Sequence, residues 1–93
     1  MRRISPDKRK QEILKAALSI SVRHGYNRVT LEQIAERAST TRGNIYYHFG
    51  TIKNLRREIL REAVRTKNTA VIAQGVLFKD PVVKGIGVNI TGV

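Results

Sequence analysis

Between Thr41 and Phe49 the chain places Arg42, Asn44, Tyr46, Tyr47 and His48, five side chains rich in hydrogen-bond donors. A guanidinium can fork onto a guanine edge or a phosphate, and a carboxamide can pair with an adenine edge. Phenolic hydroxyls can donate to phosphate oxygens. None of these groups stands next to a nucleophile or a second base, so the stretch suits recognition and not bond making. Ile45 and Phe49 are four residues apart, which puts both on one face of a helix as packing anchors. Bland roles remain open for each polar residue. Arg42 can be a solvated arginine, Asn44 can bond within its own helix, one of the two tyrosines can pack inward, and His48 can be a helix-end residue.

The rest of the composition narrows the chemistry further. Lys and Arg number 18 against 7 Asp and Glu, a formal net charge of +11. Through Lys67 there are 16 basic and 6 acidic residues, so the excess belongs to the first two thirds of the chain. Self-repulsion on that scale opposes compaction and points to a polyanionic partner. There is no cysteine, which excludes disulfides and thiolate metal sites. The two histidines, His24 and His48, lie far apart with no carboxylate cluster beside them, so no metal site is expected. No glycine-rich phosphate loop follows a strand, and no Ser, His and Asp set carries a nucleophile motif. We expect neither an enzyme nor a cofactor. Met1-Arg-Arg leads into Ile-Ser-Pro-Asp and not into an apolar run, so no secretory signal is read, and a cytoplasmic location follows as the default. The most apolar run, Ala70 to Phe78, is far too short to span a bilayer.

Several helices must position the 41–49 stretch. Residues 1–4 read as a flexible basic arm, with Arg2 and Arg3 able to enter a minor groove. Ser5-Pro6-Asp7 is a helix start, with Ser5 as cap and Pro6 at the first helical position. Ile13, Leu14, Ala17, Leu18 and Val22 recur at helical spacing, and Gly25 is placed to end that helix. Lys8, Arg9 and Lys10 sit in its first turns, where the helix dipole disfavours cations. Tyr26 should pack back beneath it. Thr30 and Gln33 fit a capping box for a second helix with the stripe Leu31, Ile34, Ala35, Ala38. Ser39-Thr40 then makes a tight turn, and Thr41 caps a third helix ending near Phe49-Gly50. Thr51 opens a fourth, with Ile52, Leu55, Ile59, Ala63 and Val64 facing inward. Arg56, Arg57, Arg61 and Arg65 point elsewhere as a solvated face. This helix is expected to run on to Gly75. Beyond it, Pro81 acts as a helix stop, and Ile86, Val88 and Ile90 alternate as a weak strand.

Two short helices joined by a tight turn in a basic chain outline a helix-turn-helix. The ordered set Ile13-Leu14, Ala16-Ala17, Gly25-Tyr26, Thr30, Ile34-Ala35, Gly43-Asn44-Ile45-Tyr46-Tyr47-His48-Phe49 and Leu55 resembles the DNA-binding domain of the TetR-type family of bacterial repressors, over roughly residues 8–65. The resemblance implies an all-α, homeodomain-like three-helix domain at 5–67 with a fourth connecting helix; residues 68–93 read as the end of that helix plus a short irregular or strand-like tail, open to a dimerising role or to disorder. It implies that Arg42, Gly43, Asn44, Tyr46 and His48 approach bases or flanking phosphates, with Thr30 and Tyr47 on the backbone. Thr41 caps that helix beside them. The family commonly places a lysine after the fourth helix's cap; here Ile52 occupies that place, with Lys53 next to it. Family members often carry glycine and an apolar residue in the turn, where this chain has Ser39-Thr40.

The expectation is therefore a sequence-specific regulator, of repressor type, that binds double-stranded DNA as a homodimer without a membrane. No small-molecule inducer is expected of this chain, because the larger helical domain of the family is not seen in it. Two other readings stay open. One is a small protein-interaction module such as an antirepressor, and the other is a non-specific architectural DNA-binding protein with a steep salt dependence.

Overall fold

A computed structural model of the chain describes residues 5–84, and within them every regular element is helical. The flexible arm expected at 1–4 and the strand-like alternation at 86–90 lie outside the described residues. The elements are α1 (Pro6–His24), α2 (Leu31–Ala38), α3 (Arg42–Phe49), α4 (Ile52–Arg65), α5 (Thr69–Leu77) and α6 (Pro81–Lys84). The all-α expectation holds.

Each of the first five helices starts on a side-chain cap that satisfies an otherwise unpaired backbone N–H. Ser5 accepts from the Lys8 N–H, Thr41 from Asn44, Thr51 from Asn54 and Asn68 from Val71. Thr30 and Gln33 form the full capping box, at 3.2 Å and 3.0 Å. The helix ends were harder to read. α2, α4 and the α5–α6 corner all close with paired bonds from two consecutive residues just past the end: Ser39 to Glu36 and Thr40 to Ala35, Lys67 to Val64 and Asn68 to Ala63, Lys79 to Val76 and Asp80 to Gly75. This is the Schellman arrangement, which puts a left-handed residue at the turn. Glycine is usual there, but Ser39, Lys67 and Lys79 take it here with φ of 54°, 58° and 55°.

That substitution explains the main correction to the sequence reading. α4 does not continue to Gly75. It stops at Arg65, and the chain reverses at Lys67 before Asn68 caps a separate α5. Gly75 does not terminate a helix either; it sits buried inside α5. Pro81 begins α6 instead of stopping a helix, as suits a residue with a fixed φ and no N–H to lose.

The core is one cluster. Ile13 and Ala17 from α1, Ile34 from α2, Ile45 and Phe49 from α3, and Leu55, Ile59, Leu60 and Ala63 from α4 are all buried in it. Val71, Ile72 and Val83 belong to the same cluster, so residues beyond Lys67 contribute to the packing that holds α4. Val22 was expected inside, but it is 44% exposed. The buried line of α1 runs through Ile13, Ala17 and Ser21, and Ser21 satisfies its hydroxyl on the Ala17 carbonyl at 2.8 Å. Gln74 interrupts an apolar run in sequence for a reason the fold supplies. Its amide donates to the Ser21 carbonyl (2.9 Å) and accepts from the Tyr26 N–H (2.8 Å), which fastens α5 to the end of α1. Tyr26 is buried as expected, but its hydroxyl reaches past α1 to Asp80 at 3.0 Å.

Candidate nucleic-acid interface

The α2–turn–α3 unit is held from three sides. Ile34 of α2 and Ile45 and Phe49 of α3 enter the core, which fixes the rotation of α3 about its own axis. Asn54, in the first turn of α4, donates to the Phe49 carbonyl at 2.8 Å and ties the end of α3 to α4. The Lys10 ammonium of α1 lies 5.3 Å from the centre of the Phe49 ring, a cation–π distance. Arg9 pairs with Glu12 at 3.4 Å. These local partners account for two of the three cations in the unfavourable first turns of α1.

With Ile45 and Phe49 turned in, the helical period turns the other residues out. Arg42, Gly43, Tyr46 and Tyr47 are exposed; Tyr47 is the most open at 79%, and Tyr46 is 43% exposed. Both tyrosines therefore face solvent, and neither fills the core. The Tyr47 ring meets the half-buried His48 edge to face, at 5.2 Å between centres. Gly43 has open space around it: a Cβ there would meet only the Thr41 hydroxyl at 3.9 Å. No acidic residue lies in α3. Thr30 and Thr41 are exposed at their helix starts, with their oxygens accepting backbone N–H groups and their hydroxyl protons left to donate. Lys53 is exposed at the start of α4, close to where α3 ends.

Two polar residues are already engaged. The Asn44 amide donates to the Thr40 hydroxyl at 2.8 Å, so in the free protein this side chain braces the turn. The Arg42 guanidinium lies 3.2 Å from the Glu32 carboxylate of α2. Neither the Glu32 pairing nor the Asn54 bond was anticipated. The second carried a faint signal, an amide side chain three residues after a threonine cap. Ser39, with its left-handed backbone, meets at the turn the geometric demand that glycine usually meets.

The arrangement offers hydrogen-bond donors on the exposed side of α3. Among the described residues, no cluster of three or more His, Asp or Glu could hold a metal ion, and no helix is long and apolar enough to cross a membrane.

Comparison with known proteins bears on the family of the chain. The family model described as bacterial regulatory proteins, tetR family, matches residues 13–59, from the middle of α1 into α4. The HTH-type transcriptional regulator QacR of Staphylococcus aureus is 41% identical over 51 residues, covering 55% of this chain and 27% of the relative. A probable acrEF/envCD operon repressor of Escherichia coli is 36% identical over 69 residues, with 68% and 31% covered. The HTH-type transcriptional repressor AcnR of Corynebacterium glutamicum is 32% identical over 72 residues, with 77% and 38% covered. The chain thus spans about a third of the length of these relatives. No solved structure matches at the same level of significance. With the match running through the capped helices and the turn described above, the chain belongs to the tetR family of bacterial regulatory proteins.

Proposed function

We propose that this chain is a sequence-specific DNA-binding regulator of repressor type that lays α3 in the major groove of duplex DNA. The observation that carries the reading is the division of α3. Ile45 and Phe49 are locked into the core, while Arg42, Gly43, Tyr46 and Tyr47 stand outward on a helix without a single carboxylate. Arg42 at the first position reads a guanine edge or grips a phosphate. Gly43 lets the helix backbone approach closely. Tyr46 and His48 flank the bases, and Asn44 reaches an edge only after leaving Thr40. Thr30, Thr41, Tyr47 and Lys53 donate to phosphates on either side and fix the register.

A module of this size makes few base contacts, so two copies on a two-fold site are expected to act together. The names of the relatives, all regulators or repressors, support the assignment to transcription. The test is selection of bound sequences from random duplexes, followed by titration of the selected site. Arg42→Ala and Tyr46→Ala should each weaken binding at least tenfold, while stability falls by no more than the roughly 1 kcal/mol that the Arg42–Glu32 pair can contribute. Equal affinity for selected and scrambled duplexes would overturn sequence-specific reading. Unaltered binding by both variants would move the contact surface away from α3.

A further inference from the structure

Apart from Lys53 at its outer end, the proposed DNA surface leaves a second basic feature unused. Lys53, Arg56, Arg57 and Arg61 recur along α4 at i, i+3, i+4 and i+8, one face of the helix, where like charges destabilise one another. They do not simply project into solvent. They line a cleft of about 600 Å³ together with Tyr26, Asn27 and the Asp80-Pro81-Val82 corner.

The one carboxylate in that corner offsets only part of the charge on the wall. Asp80 is spent on its own surroundings, accepting from the Tyr26 hydroxyl and from the Val82 N–H at 3.0 Å each. Lys53, Arg56 and Arg57 are in no ion pair with a described residue, and Arg61 has only a loose one, 3.9 Å from Glu58. Arg56 also holds its Nε buried with no hydrogen-bond partner, the only such side-chain atom among the described residues. Three arginines and a lysine thus line a hollow of small-ligand size with one carboxylate among them, which leaves an excess of positive charge there.

We propose that this cleft binds a small multiply charged oxyanion of the phosphate type, taken from solution and not from the DNA backbone. Guanidinium forks match the paired oxygens of phosphate groups. The choice of source follows from length. Arg61 lies eight residues beyond Lys53, about 12 Å along the helix axis. A duplex seated on α3 and on the start of α4 would leave that inner end unoccupied. The proposal departs from the expectation that this chain takes no small ligand, and it stands independently of how α3 reads DNA.

The probe is inorganic pyrophosphate, titrated calorimetrically into the full chain. Wild type should bind one equivalent saturably. Arg57→Gln/Arg61→Gln, both at exposed positions, should weaken that binding at least tenfold. Lys15→Gln/Arg37→Gln removes the same charge from a separate hollow between α1 and the end of α2, and should change it less than twofold. Absence of saturable binding overturns the site, and so does an equal loss in the two double variants, because diffuse attraction to a +11 chain would then suffice. The dependence of DNA affinity on salt gives the source. An unchanged slope in Arg57→Gln/Arg61→Gln supports a free anion. A slope reduced by about two, the loss expected for two phosphate contacts, would make the cleft a backbone seat and refute the proposal.

Discussion

The Arg42 guanidinium stands 3.2 Å from the Glu32 carboxylate, across the turn that joins α2 to α3. Both side chains are largely solvated, so the pair contributes about 0.2–1 kcal/mol to the fold. Its larger consequence is for binding. In the proposed binding mode Arg42 releases Glu32 before it forks onto a base or phosphate, and the Glu32 charge repels the DNA backbone. Glu32→Gln should therefore tighten DNA binding by up to about fivefold, the equivalent of 1 kcal/mol. The gain should be similar for selected and scrambled duplexes, and it should shrink to the part due to relieved repulsion when Arg42 is also alanine. Fluorescence anisotropy on the four proteins measures it; weaker binding by Glu32→Gln would mean that the carboxylate orients Arg42 productively.

Tyr26 and Asp80 give the fold a pH dependence in the alkaline range. Burial of the phenol, then its hydrogen bond to Asp80 and the nearby negative charge, push the Tyr26 pKa from 10.0 up to about 12. The folded state thus holds its proton where the unfolded chain releases it. Stability from this group is complete below pH 10 and is lost as pH rises from about 10 to about 12. Tyr26→Phe removes the donor to Asp80 and should cost about 1 kcal/mol at neutral pH. It should also flatten the decline above pH 10, and urea titrations at pH 7, 10 and 11.5 would separate the two effects.

Local signals account for most of the first four helices. Ser5, Thr30, Thr41 and Thr51 announce their starts, and the apolar stripes give the buried faces. The exposure of Arg42, Tyr46 and Tyr47 follows from two anchors, Ile45 and Phe49, and the helical period. What stayed hidden depends on partners distant in sequence or on unusual backbone. The break between α4 and α5 rests on a lysine in a left-handed conformation, which no stop signal marks. Gln74 looked like an interruption because its two partners, Ser21 and Tyr26, lie about fifty residues away. The bonds Asn44 to Thr40 and Arg42 to Glu32 depend on how tightly the turn closes, and composition does not encode that.

Gly75 is a packing residue. A Cβ at this position would come within 2.9 Å of Leu60 Cδ2 and 3.1–3.2 Å of both Val83 methyl groups. Leu60 and Val83 are themselves buried, and the valine is stiff at χ1, so neither can yield easily. Gly75→Ala gains about 1 kcal/mol of helix propensity but forces apart α4, α5 and α6 at a cost of about 1–3 kcal/mol. We expect a net loss of about 1 kcal/mol and a lower thermal midpoint. A raised midpoint would show that the three helices are loosely seated and that the close approach is incidental.

Ser39 and Lys67 give the opposite prediction for glycine. Each closes a helix with φ near +55°, a region in which a side chain costs about 1–2 kcal/mol. Glycine removes that strain but increases the freedom of the unfolded chain, which offsets about 0.5–1 kcal/mol. Ser39→Gly and Lys67→Gly should each stabilise the fold by about 0.5 kcal/mol, and their effects should add, because the turns are separate. Gly25, at φ 96°, is the control: alanine there inherits the strain and should destabilise. Chemical denaturation of the three variants tests the sign. Lys67→Gly is the sharper case, since it bears on whether α4 truly stops at Arg65. If α4 ran on unbroken through residue 67, glycine would sit in a helix interior and cost about 1 kcal/mol instead.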